Sequence, residues 1–221
     1  CFECGGILGE VFDFNLMFHT TIGTKGEGKV GYLRPELAQG MFIGFPRLSR
    51  FYRGKLPFGV TQIGKAYRNE ISPRQGVIRL RELTLAEIEV FLEPDKEEYP
   101  GYEAVKDEIL LLIPKKVQED SNKPEPSKMT IEEAINKGIV LNEVMGYFLA
   151  KTRDFLVQSG IKEDKLRFRQ HLDTEKAHYS KDCWDAEFDS QRFGWIEIVG
   201  ISFRGDYDLK SHAKHSEKSR G

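Results

Sequence analysis

Phe58-Gly-Val-Thr-Gln-Ile-Gly-Lys-Ala-Tyr-Arg-Asn-Glu70, Ile71-Ser-Pro-Arg-Gln-Gly76 and Val77-Ile-Arg-Leu-Arg-Glu-Leu-Thr-Leu-Ala-Glu-Ile-Glu-Val-Phe91 decide the fold, because charged residues recur at alternate positions inside apolar, β-branched runs. Val60 to Glu70 reads as one strand, Ile71 to Gly76 as a loop carrying Pro and Gly, and Val77 to Phe91 as a second alternating stretch. In that stretch Ile78 and Leu80 oppose Arg79 and Arg81, and Ala86, Ile88 and Val90 oppose Glu87 and Glu89. The expectation is a sheet with an apolar back and a heavily charged front. On pattern alone the front is either a solvated surface of cross-strand ion pairs, each worth less than about 1 kcal/mol, or a binding site.

Outward from this stretch, Leu8 to Phe18 reads as a strand or extended segment, and Leu33 to Phe42 places Pro35 in the first turn of a helix. Glu93 to Gly101 and Ile113 to Lys128 look like the edges of an insertion, with a short amphipathic helix from Tyr102 to Leu112 between them. Thr130 and Glu133 have capping-box spacing, with Gly138 as the stop. Asn142 caps a longer helix whose stripe is Met145, Phe148, Leu149, Phe155 and Leu156, with Gly160 beyond its end. Trp195 to Phe203 is a strand holding Glu197, and Arg204 follows it. Strict alternation sends Glu197 and Arg204 to opposite faces, so a bulge or bend near Gly200 is needed for both to face one site. The basic tail from Lys210 to Arg220 is either a solvated terminus or an RNA contact.

With 221 residues, 39% hydrophobic and 31% charged, the chain can bury a core. Its formal net charge of −2 offers no non-specific attraction to nucleic acid, so any such footprint must be a local patch. No apolar run approaches the roughly 20 residues of a membrane span and no signal-peptide layout opens the chain, so a soluble cytoplasmic protein is the expectation. Three cysteines make no disulfide framework. Cys1-x-x-Cys4 is half of a zinc ribbon or a leftover turn, and zinc there requires ligands from outside this chain. The His, Asp and Cys residues between Leu166 and Glu187 match no familiar metal-ligand spacing. Opening on Cys rather than Met, the sequence reads as a piece of something longer.

Several segments together resemble the catalytic domain of glycyl-tRNA synthetases of the archaeal and eukaryotic type, which are class II aminoacyl-tRNA synthetases. They are Phe14-Asn-Leu-Met-Phe18, Arg34-Pro-Glu-Leu-Ala-Gln-Gly-Met-Phe42, Gly64-Lys-Ala-Tyr-Arg-Asn-Glu-Ile-Ser-Pro-Arg-Gln-Gly76 and Arg79-Leu-Arg-Glu-Leu-Thr-Leu-Ala-Glu-Ile-Glu89. Arg167-Phe-Arg-Gln-His171, His178-Tyr-Ser-Lys-Asp-Cys-Trp-Asp185 and Gly194-Trp-Ile-Glu-Ile-Val-Gly200 continue the match. The resemblance implies an α+β fold, a class II synthetase-like antiparallel sheet flanked by helices with an inserted subdomain. It divides the chain into 1–92 and 141–221 as two parts of the core and 93–140 as the insertion.

The same resemblance implies the chemistry. Arg68 and Glu70 would be the catalytic pair, with Arg68 gripping the α-phosphate side. ATP would be bound by Arg68, Asn69, Glu70, Arg79, Leu80, Glu197 and Ile198, with Arg74 a γ-phosphate or acceptor-stem contact. Glycine would be bound by Glu36, Glu87 and Arg204. Glu197 would reach the phosphates through Mg²⁺. A ligand without a side chain can be recognised only by its ammonium, its carboxylate and the lack of room beside its α-carbon, and two carboxylates suit the ammonium. The implied partners are ATP, glycine and the glycine tRNA, with a homodimer in the full-length protein and no membrane. Motif 1 of the family would lie before Cys1 and motif 3 beyond Gly221. The rival readings are a synthetase-like nucleic-acid-binding or polymerase-accessory subunit without catalysis, and a class II synthetase for another small amino acid.

Overall fold

The computed structural model describes residues 4–11, 13–24, 28–71, 73, 76, 78–94, 96, 98–121 and 123–218, without the side chains of Glu217 and Lys218. Cys1 and Arg74 therefore lie outside the described residues. The chain divides into two compact units, Cys1–Phe91 and Leu92–Gly221, and with helices and sheets in both it is an α+β protein.

The first unit holds a hairpin of β1 (His19–Ile22) and β2 (Lys29–Tyr32), a helix α1 (Ala38–Phe51), and an antiparallel pair, β3 (Phe58–Tyr67) and β4 (Glu82–Phe91). Residues 8–11 and 13–18, expected to be extended, form no strand. The helix starts at Ala38, so Pro35 precedes it by three residues. Described residues 78–81 are bends and coil, and β4 starts only at Glu82. Phe58 pairs with Phe91 and Tyr67 with Glu82, and each pair shares a face.

Alternation holds along both strands, yet the covered face is the opposite of the one expected. Phe58, Val60, Gln62, Gly64 and Ala66 share a face with Leu83, Leu85, Glu87, Glu89 and Phe91, and these are the more buried positions. The other face leaves Ile63 71% and Ile88 65% exposed. The charged face lies under α1, whose Leu37, Ala38, Met41 and Phe42 are buried and whose Phe42 and Phe45 rings meet Phe91 at 6.2 and 4.9 Å.

In the second unit, five strands lie in the order β6 (Ser127–Thr130), β5 (Ile109–Ile113), β7 (Leu166–Gln170), β8 (Asp182–Ser190) and β9 (Gly194–Phe203). Every neighbouring pair is antiparallel except β5 and β7, which run parallel, so the sheet is mixed rather than antiparallel. The chain from 114 to 165 joins these two strands, long enough for the crossover that a parallel pair demands. It contains α2 (Lys115–Asp120), α3 (Ile131–Asn136) and α4 (Glu143–Gln158), and α5 (Tyr207–Lys218) follows β9. The expected helix from Tyr102 to Leu112 is instead a single 3₁₀ turn, Tyr102–Ala104, and β5. Residues 93–140 thus supply two strands to the same sheet as residues 166–203.

The caps behave as the sequence indicates. Thr130 Oγ accepts from Glu133 N–H at 3.1 Å and Asn142 Oδ1 from Met145 N–H at 3.1 Å, while Gly138 and Gly160 take positive φ beyond the helix ends. Met145, Leu149 and Leu156 of α4 pack with Leu110, Leu112, Phe168, Trp184 and Ala186 of the sheet. Phe155, expected in that stripe, is 64% exposed. Gly146 lets α4 close on α3: a Cβ there would sit 2.5 Å from Ile131 Cγ2.

Across the sheet from this core, Arg167, Arg169 and His171 of the β7 segment face Glu187, Asp185 and Cys183 of β8. Arg167 Nε donates to Glu187 at 2.6 Å, Arg169 Nη2 to Asp185 at 2.9 Å, and His171 Nε2 lies 2.8 Å from Asp185. The Asp185 carboxylate, with the Cys183 side chain, pushes His171 up to about 10 although burial opposes it. An imidazolium beside a buried carboxylate stabilises the fold below the unfolded-state value near 6.5, and that contribution is lost as pH rises through about 10.

Two outcomes follow for stability. Leu149→Ala should cost about 2–5 kcal/mol in urea unfolding, the range for emptying a fully buried leucine site. In thermal melts from pH 6 to pH 10, the gap between the unaltered chain and His171→Gln should shrink steadily as pH rises; a gap of constant size would show that His171 is not charged in the fold.

Candidate functional site

In the first unit the functional side chains gather where the start of α1 meets the far end of β3 and the near end of β4. Leu37 N–H, at the mouth of the helix, donates to both oxygens of Glu87 at 3.1 Å. Glu87 can occupy a half-covered position because the helix N-terminus supplies unsatisfied N–H groups and positive potential. Glu36 is the residue before Leu37, and Gln39 Nε2 donates to its Oε1 at 3.1 Å. Two carboxylates are therefore fixed at one helix mouth, one by backbone and one by a side-chain amide.

Three arginines of the same unit are anchored on backbone carbonyls. Arg68 Nε donates to the Pro35 carbonyl at 3.1 Å, Arg34 Nε to the Lys65 carbonyl at 2.8 Å, and Arg81 Nε to the Glu70 carbonyl at 3.1 Å. Each guanidinium is held by its inner nitrogen, and among the described residues no carboxylate pairs with its two-pronged Nη end. That geometry suits bidentate binding of carboxylate or phosphate. Arg68 N–H bonds to the Arg81 carbonyl at 3.0 Å, carrying the β3–β4 pairing one step past Tyr67. Asn69 donates its N–H to the Leu16 carbonyl at 2.7 Å. Arg79 and Leu80 are exposed ahead of β4.

Among the described residues, no ion pair involves Arg34, Arg68, Arg79 or Arg81, whereas Arg153, Arg167, Arg169 and Arg204 of the second unit are all paired. The reading of the charged front as cross-strand Arg–Glu pairs therefore does not hold for these arginines.

In the second unit, Glu197 pairs with Glu187 and Val199 with Ala186, which leaves Ile198 as the extra residue of a β-bulge. The bulge needed near Gly200 thus lies two residues before it. It turns Glu197 to the face of Gly200, where a Cβ would be 3.7 Å from Glu197 Oε1. Arg204 is engaged inside its own unit: it forms a two-pronged pair with Asp208 at 2.8 and 3.0 Å and its guanidinium lies 4.2 Å from the Tyr179 ring centre. Asp208 is buried in the first turn of α5, so this pair also anchors that helix.

Cys4 is exposed and free, and among the described residues no group of three or more His, Cys, Asp and Glu could hold a metal ion. Glu197 alone offers a single carboxylate, which fits an ion held mainly by substrate phosphates rather than a protein cage. No helix of the described residues is long and apolar enough to cross a membrane. Sequence reasoning did not find the anchoring of Arg34 or the Gln39–Glu36 bond. The alternating Arg167, Arg169, His171 and Cys183, Asp185, Glu187 were a legible signal for the ladder in the second unit.

A family model described as the tRNA synthetase class II core domain (G, H, P, S and T) matches residues 25–211. A curated glycine–tRNA ligase of Methanocaldococcus jannaschii is 58% identical over 219 residues, covering 98% of this chain and 38% of its own length. Those of Thermococcus kodakarensis and Methanothermobacter thermautotrophicus are each 55% identical, cover 98% of this chain, and are themselves covered over 37% and 38%. The chain thus spans somewhat over a third of the relatives it matches. The match across residues 25–211, which include Glu36, Arg68 and Glu87, settles the family: this chain belongs to the class II tRNA synthetase core domains.

Proposed function

We propose that the complete protein carrying this sequence is a glycine–tRNA ligase, which activates glycine with ATP and transfers it to the 3′ end of its tRNA. The observation that carries the reading is the pair of carboxylates, Glu36 and Glu87, fixed at the mouth of α1, with Arg68 anchored on the neighbouring Pro35 carbonyl. A zwitterion with no side chain needs that combination: acceptors for its ammonium and donors for its carboxylate. The names of the curated relatives agree with it.

In the first step a glycine carboxylate oxygen attacks the α-phosphorus of ATP, the bond to the β-phosphate oxygen breaks, and pyrophosphate leaves. Arg68 spreads its Nη donors over the α-phosphate oxygens and the incoming carboxylate, lowering their mutual repulsion as charge builds at phosphorus. Glu36 and Glu87 hold the ammonium and so aim the carboxylate, and most of the acceleration comes from this positioning. Glu70 and Asn69 hold the adenine end, and Arg79 and Leu80 belong to the same nucleotide site. In the second unit, Glu197, with Ile198 next to it, takes the role of an ATP contact. It would hold Mg²⁺ together with phosphate oxygens, and the ion supplies charge neutralisation on the leaving pyrophosphate. Arg204 is assigned to the glycine carboxylate, a role that requires it to share itself with Asp208. In the second step the terminal ribose hydroxyl of tRNA attacks the glycyl carbonyl and AMP leaves.

The family's domain plan casts residues 93–140 as an insertion whose strands have joined the core sheet, with the dimer contact outside this stretch of chain. Zinc at Cys1 and Cys4 would need ligands from elsewhere.

Glycine-dependent ATP–pyrophosphate exchange tests the reading in the complete protein. Glu87→Gln, which keeps an acceptor for Leu37 N–H but removes the charge, should raise the KM for glycine about tenfold to a hundredfold. Glu87→Ala should lose that and destabilise α1 by about 1 kcal/mol as well. Absence of exchange with any amino acid would sink the enzyme reading in favour of a nucleic-acid-binding subunit.

A further inference from the structure

We propose that Arg34 is a second oxyanion-binding residue of the first-unit site, partnering Arg68 on a carboxylate or phosphate of the substrates; this rests on the glycine-activation reading and deepens it. Arg34 is bound to the end of β3 twice over. Its carbonyl accepts from Tyr67 N–H at 2.9 Å, and its Nε donates to the Lys65 carbonyl at 2.8 Å. Arg68, just past β3, returns the gesture by donating its Nε to the Pro35 carbonyl. The two arginines thus cross between the same two segments, each fixed at Nε.

Each anchor fixes a long side chain, and among the described residues no carboxylate forms an ion pair with either guanidinium. An arrangement of this kind suits an anion brought in by a ligand. A planar fork with its inner nitrogen already anchored loses little further freedom on binding, which is the advantage of arginine over lysine at such a place.

Gly64 is the second half of the device. The end of the Arg34 guanidinium comes so close to it that a Cβ would stand 2.7 Å from Nη2, while Leu37 Cδ2, at 3.5 Å, would be in ordinary contact. A side chain at position 64 would therefore push the end of the arginine aside and leave the strand pair in place. Glycine in a strand interior weakens it, so its presence here is accounted for by this close approach.

Gly64→Ala is accordingly the discriminating variant, with Arg34→Ala and Arg34→Lys beside it, all in the complete protein. KM for ATP and KM for glycine are measured separately by pyrophosphate exchange, ATP affinity by calorimetry without glycine, and stability by thermal melting. Gly64→Ala and Arg34→Lys should melt like the unaltered protein yet weaken one substrate about tenfold. Weakened ATP identifies the anion as phosphate, weakened glycine as carboxylate. Values within about twofold for both substrates in Gly64→Ala and Arg34→Lys would overturn the inference, even if Arg34→Ala fails to fold. Lack of exchange in the unaltered protein sinks the ligase reading, and the Arg34 inference is then decided by ATP affinity alone. Failure of the unaltered protein to bind ATP as well would overturn both.

Discussion

The contact on which the first unit depends is the one between the Glu87 carboxylate and the Leu37 N–H. It places an acidic group on the face of a two-stranded sheet that a helix covers, an arrangement that burial alone would penalise. The helix that covers the group also compensates it, because the mouth of α1 carries the donors and the positive potential an anion needs. Helix position, strand register and site geometry are thereby one constraint: β4 slipped by a residue would turn Glu87 to the open face and bring Ile88 under the helix instead. The apolar Ile63 and Ile88 on the open face mark the cost of this choice within the unit.

The two units treat their charges in opposite ways. On β7 and β8 the arginines and carboxylates neutralise one another in a ladder, with Asp185 buried between Arg169 and His171. Such a ladder supports strand register and is spent on structure. Around α1 the arginines bond to carbonyls and keep their charge. Backbone carbonyls orient a guanidinium without cancelling it, so the same residue type becomes a structural tie in one place and keeps its charge in the other.

Much of this was legible in the sequence. Period-two alternation identified β3 and β4, the Thr130 and Asn142 caps located α3 and α4, and the parity of Glu197 and Arg204 required a bulge that lies at Ile198. What alternation does not carry is which face is covered. Hydrophobicity pointed to the Ala86, Ile88 and Val90 face, and the structure places the helix on the other one because Leu37 to Phe45 must reach Phe58 and Phe91. The start of β4 was placed too early because Ile78-Arg-Leu-Arg81 alternates like a strand but lies ahead of the paired register. Likewise Tyr102 to Leu112 was expected to be an amphipathic helix, and only the pairing of Ile109–Ile113 with β6 and β7 decides for strand there.

The candidate site entered as a set of residues, without a geometry. The resemblance supplied Glu36, Arg68 and Glu87, but it could not say that Glu36 is steadied by Gln39 or that Arg68 hangs from Pro35, since those bonds join residues whose spacing has no sequence rule. The one local sign was Gly64, an interior glycine in an otherwise strong strand. A residue that weakens its own strand asks for a reason, and here the reason is a neighbouring side chain: the strand gives up its Cβ so that the end of a guanidinium can come where a methyl would stand. Backbone permissiveness is thus converted into the placement of a charge, and of the two glycines in β3 it is Gly64, against which Arg34 lies, where the strand makes room for a side chain.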